Sequence, residues 1–404
     1  MRILFITDYL PYPLISGDQI RVYNLIQRIA KHHDVALAAF LASAEQAKAI
    51  AHLEELGCKV ITDTIGEHRH PLAHLPGLVR FGLAGTPLEL KFLYSQELAK
   101  KIRNLATAID FDIVQIEKER MALYLEALPL REECKKILVF HNISSVQYAR
   151  IARVTRRPIK KLRALLHSLQ TRRWEPRYAE RFDRCATLTA VDRRILLAAN
   201  PRLQVDIIPT GIDTQIYHPL PQDNIMPKFL FIGSMNYSPN IDAVLYFCHE
   251  IFPYIRRMLG VAELWIVGKN PVPEVRCLSG DRVYVTGRVE DILPYYAKTS
   301  ICVVPLRAGS GIRGKILEAM ALGRPVVSTS IGCEGIEIED GKHLLIADSP
   351  LEFAKAAVRL VTDKKTYRSI TAEAREYVVA KYDWEDIVDK LLRIYEELAR
   401  SCNP

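Results

Sequence analysis

A glycine-rich segment with interspersed cations is the strongest candidate for chemistry in this 404-residue sequence. Residues 305–335 read PLRAGSGIRGKILEAMALGRPVVSTSIGCEG. The small residues let the backbone of the loop approach a ligand closely. Arg313 and Lys315 add positive charge where a helix is predicted to begin, and free N–H groups at a helix start favour anions. The pattern predicts either a pocket for a phosphorylated sugar or nucleotide, or an ordinary turn with solvated arginines.

The elements around this segment predict how it is positioned. An apolar run at 301–304 precedes the loop, and a helix is expected from 315 to 322, ended by Gly323. The same alternation recurs along the chain, with further strands expected near 3–7, 35–40, 59–63, 136–140, 228–233, 263–268 and 283–286. Alternating strands and helices predict an α/β fold with doubly wound parallel sheets and ligands at the carboxyl ends of strands.

Two residues in the first half of the chain fall at such strand ends. Gly17 closes the loop after the first strand, and His141 directly follows the apolar run KILVF. A histidine there can donate or accept hydrogen bonds near neutral pH. The sequence around Gly17 lacks GxGxxG, which argues against a nicotinamide or flavin dinucleotide site.

Composition bounds the class of protein. With 404 residues, 49% of them hydrophobic, the chain can bury two cores, so two domains are the first expectation, with a linker at 219–227. Eight scattered cysteines without a CxxC pair indicate reduced thiols in a cytoplasmic protein, without a zinc site. No run reaches the roughly 18 apolar residues of a membrane span. The segment 70–87, rich in Pro, Gly and His, is a candidate part of an acceptor site.

Positive charge is concentrated in one stretch. Residues 150–184 hold twelve Lys and Arg against three acidic residues, in a chain of net charge +8. Leu162, Leu165, Leu166 and Leu169 fall on one face of the predicted helix there. A basic amphipathic helix can lie on an anionic membrane, which would make the protein peripheral at the inner face of the plasma membrane. The favoured alternative is a surface helix whose leucines face the domain core.

The motifs along the chain resemble those of a known family. The glycine loop followed by KILEAMALGRPVV resembles the donor-binding signature of retaining GT-B glycosyltransferases of the group 1, or family 4, type. Further matching motifs occur in the same order, namely HN after KILVF, IPTGID, FIGS, IVG, VTGRVED and YDW. GSMNYSPN and GSGIRGKILEAMA are most similar to exopolysaccharide-associated sugar transferases of the PEP-CTERM/exosortase system. The resemblance implies two Rossmann-like domains facing across a cleft. The first, at 1–208, would bind the acceptor, and the second, at 209–384, the nucleotide-sugar donor, with a helix at 385–404 packing back on the first.

The resemblance also implies roles for individual residues. Glu318 matches the glutamate that holds the nucleotide ribose. Arg288 and Val289 would flank the base, with the Val289 backbone contacting its edge. Gly17 would approach the diphosphate. His141 would contact the donor sugar near the reacting carbon, which makes His141 and Glu318 the expected catalytic residues.

The sequence departs from the family pattern in its second half. Ser310 stands where the family has the first glutamate of its E-x7-E motif. The hydroxyl of Ser310 can still give one hydrogen bond. The N–H groups of Ser310, Gly311 and Ile312 can hold the sugar or a phosphate.

A second departure concerns charge at the end of the first strand of that half. The family carries an Arg and Lys pair there, whereas here Gly233 is followed by Ser234 and the neutral run 235–240. Gly233 and Ser234 remain candidates for donor contact. We expect Arg313 and Lys315 to supply the missing charge to the diphosphate.

The expected function follows from these features. It is transfer of a sugar, with retention, from a nucleoside-diphosphate sugar to a glycan or lipid-linked acceptor in exopolysaccharide or cell-surface polysaccharide synthesis. Family habit favours a UDP-sugar, and no metal or other cofactor and no nucleic acid partner is expected. Two alternatives stay open, a sugar-nucleotide epimerase of GT-B fold and a non-catalytic scaffold that binds nucleotide-sugar.

Overall fold

A computed structural model describes residues 1–41, 47–64, 86–87, 90, 93–155, 157–221 and 227–400. Residues 70–85 of the predicted acceptor segment lie outside these ranges. Contacts divide the chain into two compact units. The first comprises Met1–Val146, Leu165–Pro209 and Glu385–Pro404, and the second comprises Gln147–Ala164 and Thr210–Trp384.

The first unit is built on a seven-stranded parallel sheet with the order β3-β2-β1-β4-β5-β6-β7. Its strands are β1 (Arg2–Ile6), β2 (Asp34–Leu41), β3 (Cys58–Thr64), β4 (Ile113–Glu117), β5 (Lys135–Phe140), β6 (Arg184–Thr187) and β7 (Val205–Ile207). The inner strands are almost fully buried, which explains their continuous apolar runs. The strand order reverses between β1 and β4, the place where doubly wound sheets bind ligands.

The second unit repeats the plan with six parallel strands in the order β10-β9-β8-β11-β12-β13. They are β8 (Lys228–Ile232), β9 (Glu263–Val267), β10 (Val283–Gly287), β11 (Ile301–Val304), β12 (Val326–Ser328) and β13 (Leu345–Ile346). The order reverses between β8 and β11. The predicted fold class is therefore confirmed, since both units are doubly wound parallel sheets.

Helices connect the strands. They are α1 (Gly17–Ile29), α2 (Ala47–Glu55), α3 (Gln96–Ala108), α4 (Ser144–Val154), α5 (Pro158–Ala179), α6 (Ala190–Ala199), α7 (Ser238–Tyr246), α8 (Phe252–Leu259), α9 (Pro273–Arg276), α10 (Leu293–Lys298), α11 (Gly314–Ala321), α12 (Pro350–Thr362), α13 (Lys364–Tyr382) and α14 (Trp384–Arg400). Side chains cap several of them, as Ser16 caps α1 by accepting from the N–H of Gln19.

Helix α14 contacts the first unit through polar and apolar groups. The hydroxyl of Tyr395 donates to Oε1 of Gln115 on β4 at 2.5 Å. Nε of Arg28 on α1 donates to Oε1 of Glu385 at 2.9 Å. Tyr395 is fully buried. The last helix therefore completes the surroundings of the central strand β4.

The prediction that the leucines of the basic stretch face the core is wrong. Leu162, Leu165, Leu166 and Leu169 lie on α5 and are between 42% and 62% exposed. The buried face of α5 carries smaller and aromatic residues instead, Ala164, His167, Thr171, Trp174 and Tyr178. Periodicity identifies an apolar stripe but does not tell what the stripe faces. Among the described residues, no helix is long and apolar enough to cross a membrane.

Candidate functional site

The glycine turns of the second unit converge at the carboxyl ends of three strands. The N–H of Gly233, after β8, donates to the carbonyl of Val267 at 3.0 Å, and the N–H of Gly268 donates to the carbonyl of Gly287 at 3.1 Å. A Cβ on Gly268 would lie 1.7 Å from the Gly233 carbonyl oxygen. Only glycine fits there, so the three strand ends are packed backbone against backbone.

Lys315 reaches from α11 to this convergence point. Its Nζ donates to Oδ1 of Asn240 at 3.2 Å and lies 4.2 Å from the ring centroid of Phe231. A Cβ on Gly233 would lie 3.0 Å from this Nζ. Burial, with help from Arg313, lowers the pKa of Lys315 to about 7, against the opposing effect of Glu318. Within the described part of the chain no carboxylate forms an ion pair with Lys315. Its ammonium group is instead in contact with the neutral amide of Asn240 and the ring of Phe231.

Arg313 is placed differently from Lys315. Its Nη1 donates to the carbonyl oxygens of Ser310 and Gly311, the latter at 2.9 Å. Gly309 has φ of +122°, and a Cβ there would lie 2.6 Å from Nη2 of Arg313. The guanidinium therefore braces the loop that begins α11.

The loop residues themselves are well packed. Ser310 and Gly311 are buried, and Ile312 packs against the core of the second unit. Gly311 has φ of +78°, a conformation that favours glycine. The loop backbone is thus fixed before any ligand arrives.

Glu318 lies one turn into α11, close to a buried tyrosine. The hydroxyl of Tyr296 donates to its Oε2 at 3.0 Å. Burial raises the pKa of Glu318, although the bond from Tyr296 and the charge of Lys315 act in the opposite direction. One carboxylate oxygen is thus oriented by Tyr296, which holds the side chain in a fixed position.

The remaining candidates of the second unit lie at the ends of β8 and β10. Oγ of Ser234 donates to Oδ1 of Asn236 at 2.8 Å, and the Ser234 carbonyl accepts from Nδ2 of Asn240 at 3.0 Å. Arg288 is exposed and Val289 is half-buried against the core. The neutral run 235–240 therefore forms a hydrogen-bonded turn beside Gly233 that continues into the start of α7.

Arg150 contacts the glycine loop that precedes α11, and sequence reasoning missed this contact. It lies on α4, and its Nη1 donates to the carbonyl of Gly309 at 2.7 Å. Its guanidinium also pairs with both carboxylate oxygens of Glu334, with 2.9 Å between Nη2 and Oε1. Within the second unit, Arg150 thus ties the glycine loop to the strand-end segment after β12. Apart from the clustering of cations, no local pattern marks Arg150 as a site residue, because its partner Gly309 lies 159 residues further along.

His141 follows β5 in the first unit and is 2% exposed. Its Nε2 bonds the carboxylate of Glu117 at the end of β4, and its Nδ1 lies 3.4 Å from Oδ1 of Asp18. Burial alone would lower the pKa of His141, but the bonds to Asp18 and Glu117 outweigh it and raise the pKa. Carboxylate oxygens thus face both ring nitrogens of His141, an arrangement that favours the imidazolium form.

Lys118 extends this cluster on the side of Asp18. Its Nζ lies 2.6 Å from Oδ2 of Asp18, 3.3 Å from Oδ1 of Asp8 and 4.4 Å from the ring centroid of Tyr9. Lys118 has φ of +72°, a strained backbone conformation for a lysine. Such strain is typical of functional segments, and here it places a cation between two carboxylates.

Arg21 extends the same cluster on the side of Glu117. The guanidinium of Arg21, on α1, is buried, with Nε 3.9 Å from Oε2 of Glu117 and Nη1 donating to the carbonyl of Pro209 at 2.5 Å. Oε1 of Glu117 accepts from Gln115 at 2.6 Å. Among the described residues, Nε and Nη2 of Arg21 have no hydrogen-bond partner. Glu117 is therefore held by three groups, His141, Arg21 and Gln115, and its pKa is lowered despite burial.

Gly17 is the first residue of α1. A Cβ built on Gly17 would meet no described atom within 4 Å. The next residue, Asp18, carries the carboxylate that His141 and Lys118 neutralise. The structure thus brings Gly17 and His141 together within the first unit, through Asp18.

This fold and these strand-end residues define a glycosyltransferase of GT-B type, and comparison with known proteins gives the family. Residues 15–216 match the model of Glycosyltransferase Family 4, and residues 226–363 match that of Glycosyl transferases group 1. The chain belongs to this glycosyltransferase family.

Individual relatives are distant. A Klebsiella pneumoniae protein described as an uncharacterized 44.6 kDa protein in the cps region is 21% identical, over 97% of this chain and 99% of its own length. The phosphatidyl-myo-inositol mannosyltransferase of Mycobacterium leprae is 27% identical over 48% of this chain and 54% of its own length. The chain therefore aligns with about half the length of that mannosyltransferase.

Solved structures share the fold over the full length. Sucrose-phosphate synthase from Thermosynechococcus elongatus superposes with a TM-score of 0.73 at 16% identity, covering 99% of this chain and 100% of that one. The Anabaena protein HepE, crystallised with UDP-glucose, superposes with a TM-score of 0.70 at 15% identity, covering 98% and 100%. At these identities the likeness establishes the fold alone.

Proposed function

We propose that this glycosyltransferase moves a sugar, with retention, from a UDP-sugar to a glycan or lipid-linked acceptor in exopolysaccharide or cell-surface polysaccharide synthesis. The observation that carries the proposal is the position of Lys315. Its Nζ lies beside Gly233 and Asn240, next to the turn where the family's basic pair is missing. No metal or other cofactor is part of the proposal.

The chemistry requires stabilisation of a departing nucleoside diphosphate. Negative charge develops on the β-phosphate as the glycosidic bond breaks, and fixed donors aimed at that charge lower the barrier. The N–H groups of Ser310, Gly311 and Ile312, together with the start of α11, are such donors. Lys315 adds a cation whose pKa of about 7 would rise when the diphosphate binds. Arg313 is proposed to add to the positive potential while it braces the loop carbonyls.

The first unit contributes Gly17 and His141 to the proposal. Gly17 leaves the start of α1 open to close approach by the diphosphate. His141 offers an N–H to a hydroxyl of the donor sugar in place of the 3.4 Å bond to Asp18, while Glu117 keeps the ring oriented. In this role His141 is a positioned hydrogen-bond donor, because carboxylates face both of its ring nitrogens and raise its pKa.

Glu318, Arg288 and Val289 are proposed to bind the nucleoside. The carboxylate of Glu318, oriented by Tyr296, would accept hydrogen bonds from the ribose hydroxyls. Support for a uridine nucleotide comes from HepE, which was crystallised with UDP-glucose. The strongest competitor is GDP-mannose, since two curated relatives are GDP-mannose-dependent mannosyltransferases.

The test is a screen of UDP-, GDP- and ADP-sugars by thermal shift, followed by nucleotide release with and without glycan and lipid-linked acceptors. A bound donor at 100 times its Kd stabilises the folded state by about 2.7 kcal/mol. Acceptor-dependent release of UDP is the expected result. Conversion of the sugar without acceptor would indicate an epimerase, and binding without turnover would indicate a scaffold. Unchanged turnover in both Glu318→Ala and His141→Ala would contradict the residue roles.

A further inference from the structure

The exposed face of α5 carries an unusual apolar stripe. Ile159 is 83% exposed, and Leu162, Leu165, Leu166 and Leu169 are 59%, 42%, 51% and 62% exposed. At 3.6 residues per turn these five side chains fall within an arc of about 120°. A contiguous apolar stripe on a surface marks an interaction site more often than scattered single residues do.

The stripe points away from the protein because the opposite face of α5 is anchored. Glu175 accepts from the N–H of Ser144 at 2.7 Å and of Ser145 at 3.3 Å. Trp174 stacks on Tyr178 with 4.7 Å between ring centroids, and both are buried. These contacts fix the rotation of the helix about its own axis, so the leucines are held outward by structure.

Cations border the stripe. Lys161 and Arg172 fall on one side of the apolar arc, Arg163 and Arg177 fall on the other, and all four are exposed. The sequence has no acidic residue from 134 to 174. An apolar stripe between two rows of cations matches the boundary between acyl chains and anionic headgroups. An apolar partner protein would account for the leucines but not for the absence of acidic residues.

We propose that α5 lies on the surface of an anionic phospholipid bilayer, with the stripe of Ile159, Leu162, Leu165, Leu166 and Leu169 entering the headgroup region. The bordering lysines and arginines contact lipid phosphates. This docking places the enzyme at the membrane, where a lipid-linked acceptor resides. It does not depend on which donor or acceptor the enzyme uses.

The test is co-sedimentation of the full chain with vesicles of phosphatidylcholine alone or with about one quarter phosphatidylglycerol. We expect binding to the anionic vesicles at low salt and a loss at about 1 M salt, where the Debye length is about 3 Å. Leu162→Ser/Leu169→Ser should weaken binding about tenfold or more. The matched control, Ile216→Ser/Leu351→Ser, changes two apolar side chains that are 60% and 41% exposed elsewhere and should bind as the unaltered chain does.

The charge contribution is tested with paired reversals. Lys161→Glu/Arg172→Glu should weaken binding about tenfold or more, since each cation near an anionic surface contributes separately. Lys364→Glu/Lys365→Glu changes the net charge equally at two exposed cations elsewhere and should have little effect. Equal binding to both vesicle types, or no binding to either, would overturn the proposal. So would a dimer that the serine variant abolishes while vesicle binding is absent.

Nucleotide release with a water-soluble acceptor separates this proposal from the proposed function. All four variants should retain it, because none alters a donor-site residue. Loss of vesicle binding with retained turnover supports the docking role of α5. If a stripe variant fails to fold, the salt and lipid dependence of the unaltered chain still decides the question.

Discussion

The two units hold their candidate site residues by different electrostatic means. In the first unit the charged groups around His141 have opposite partners, and His141 itself lies between Glu117 and Asp18. In the second unit Lys315 is surrounded by the amide of Asn240, the ring of Phe231 and the backbone of Gly233. The pKa shifts follow this difference, since that of His141 is raised and that of Lys315 is lowered.

The difference indicates a division of labour. Paired charges are expensive to disturb and therefore fix geometry. A lysine without a carboxylate partner has its charged form disfavoured while the site is empty, and an anionic ligand restores that form when it binds. We infer that the first unit's cluster positions groups and that Lys315 supplies charge to the donor.

The largest expected effect is on stability, in Glu117→Gln. It leaves His141 and Arg21 buried beside a neutral amide, and loss of one member of a buried ion pair costs about 3–5 kcal/mol. Urea denaturation measures this loss. Glu126→Gln, which removes a more exposed partner of Arg181, should cost less than about 1 kcal/mol. Equal effects of the two changes would contradict the structural role of the cluster.

The same variant has a defined pH signature. The raised pKa of His141 means that its contribution to stability is present below about pH 6.5 and is lost as pH rises through the folded-state value. The lowered pKa of Glu117 means that its contribution is present above about pH 4.3 and is lost as pH falls through the folded-state value. The stability difference between the unaltered chain and Glu117→Gln should therefore be greatest between these two pH values. A difference that grows above pH 6.5 would rule out a charged His141.

The next effect is on activity, in Lys315→Met. It should lower kcat/KM for the donor about 10- to 150-fold, because a charge-assisted bond to the diphosphate contributes about 1.5–3 kcal/mol. Stability should be unchanged or higher, since a poorly solvated cation is removed. Lys298→Met, at an exposed position on α10, serves as the control and should change neither kcat/KM nor the free energy of unfolding.

The lowered pKa of Lys315 also predicts how donor affinity depends on pH. With its pKa at about 7, the site takes up a proton on binding a diphosphate above that pH. Donor affinity should therefore fall by up to about tenfold per pH unit above 7. The fall should be absent in Lys315→Met, and an identical pH profile in both proteins would rule out this role.

Arg150→Met should have a moderate effect. It removes the donor to the Gly309 carbonyl and leaves Glu334 without its bidentate partner. We expect KM for the donor to rise about tenfold with little change in kcat, since loop placement before the reaction is what is lost. Arg153→Met, an exposed change on the same helix, is the control, and identical kinetics in both variants would show that Arg150 does not position the loop.

Ser310→Ala should have the smallest effect. A neutral hydrogen bond from Oγ contributes about 0.5–1.5 kcal/mol, or roughly a 2- to 10-fold loss of kcat/KM. An unchanged rate would indicate that the loop binds through its N–H groups alone. Steady-state kinetics with one donor and one acceptor decide between these outcomes.

Sequence patterns predicted the architecture well because parallel strands buried on both faces leave long apolar runs. They placed the strand before His141 at 136–140, and the structure has Lys135–Phe140. Patterns also located the helix after the glycine loop, at Gly314–Ala321. Local signals are sufficient for such elements, because glycine, proline and periodicity act over a few residues.

Contacts between distant parts of the chain were not predictable in this way. Nothing in the sequence near Arg150 identifies Gly309 as its partner, and nothing near Asp18 identifies Lys118 and His141. The prediction that the leucines of α5 face the core was wrong for the same reason, since the same periodicity fits a stripe that faces a core and one that faces solvent. Partner identity is decided by tertiary packing, to which a single sequence gives no direct access.

The bond between Tyr395 and Gln115 has a consequence for biosynthesis. These residues are 280 positions apart, and all of the second unit's strands are translated between them. At roughly 5–20 residues per second, the ribosome needs about 14–56 s to cover that interval. In the nascent first unit, β4 therefore remains uncovered on the side of α14 until the second unit has been synthesised. The strands of the first unit are synthesised first, but the unit is completed last, when α14 packs against β4.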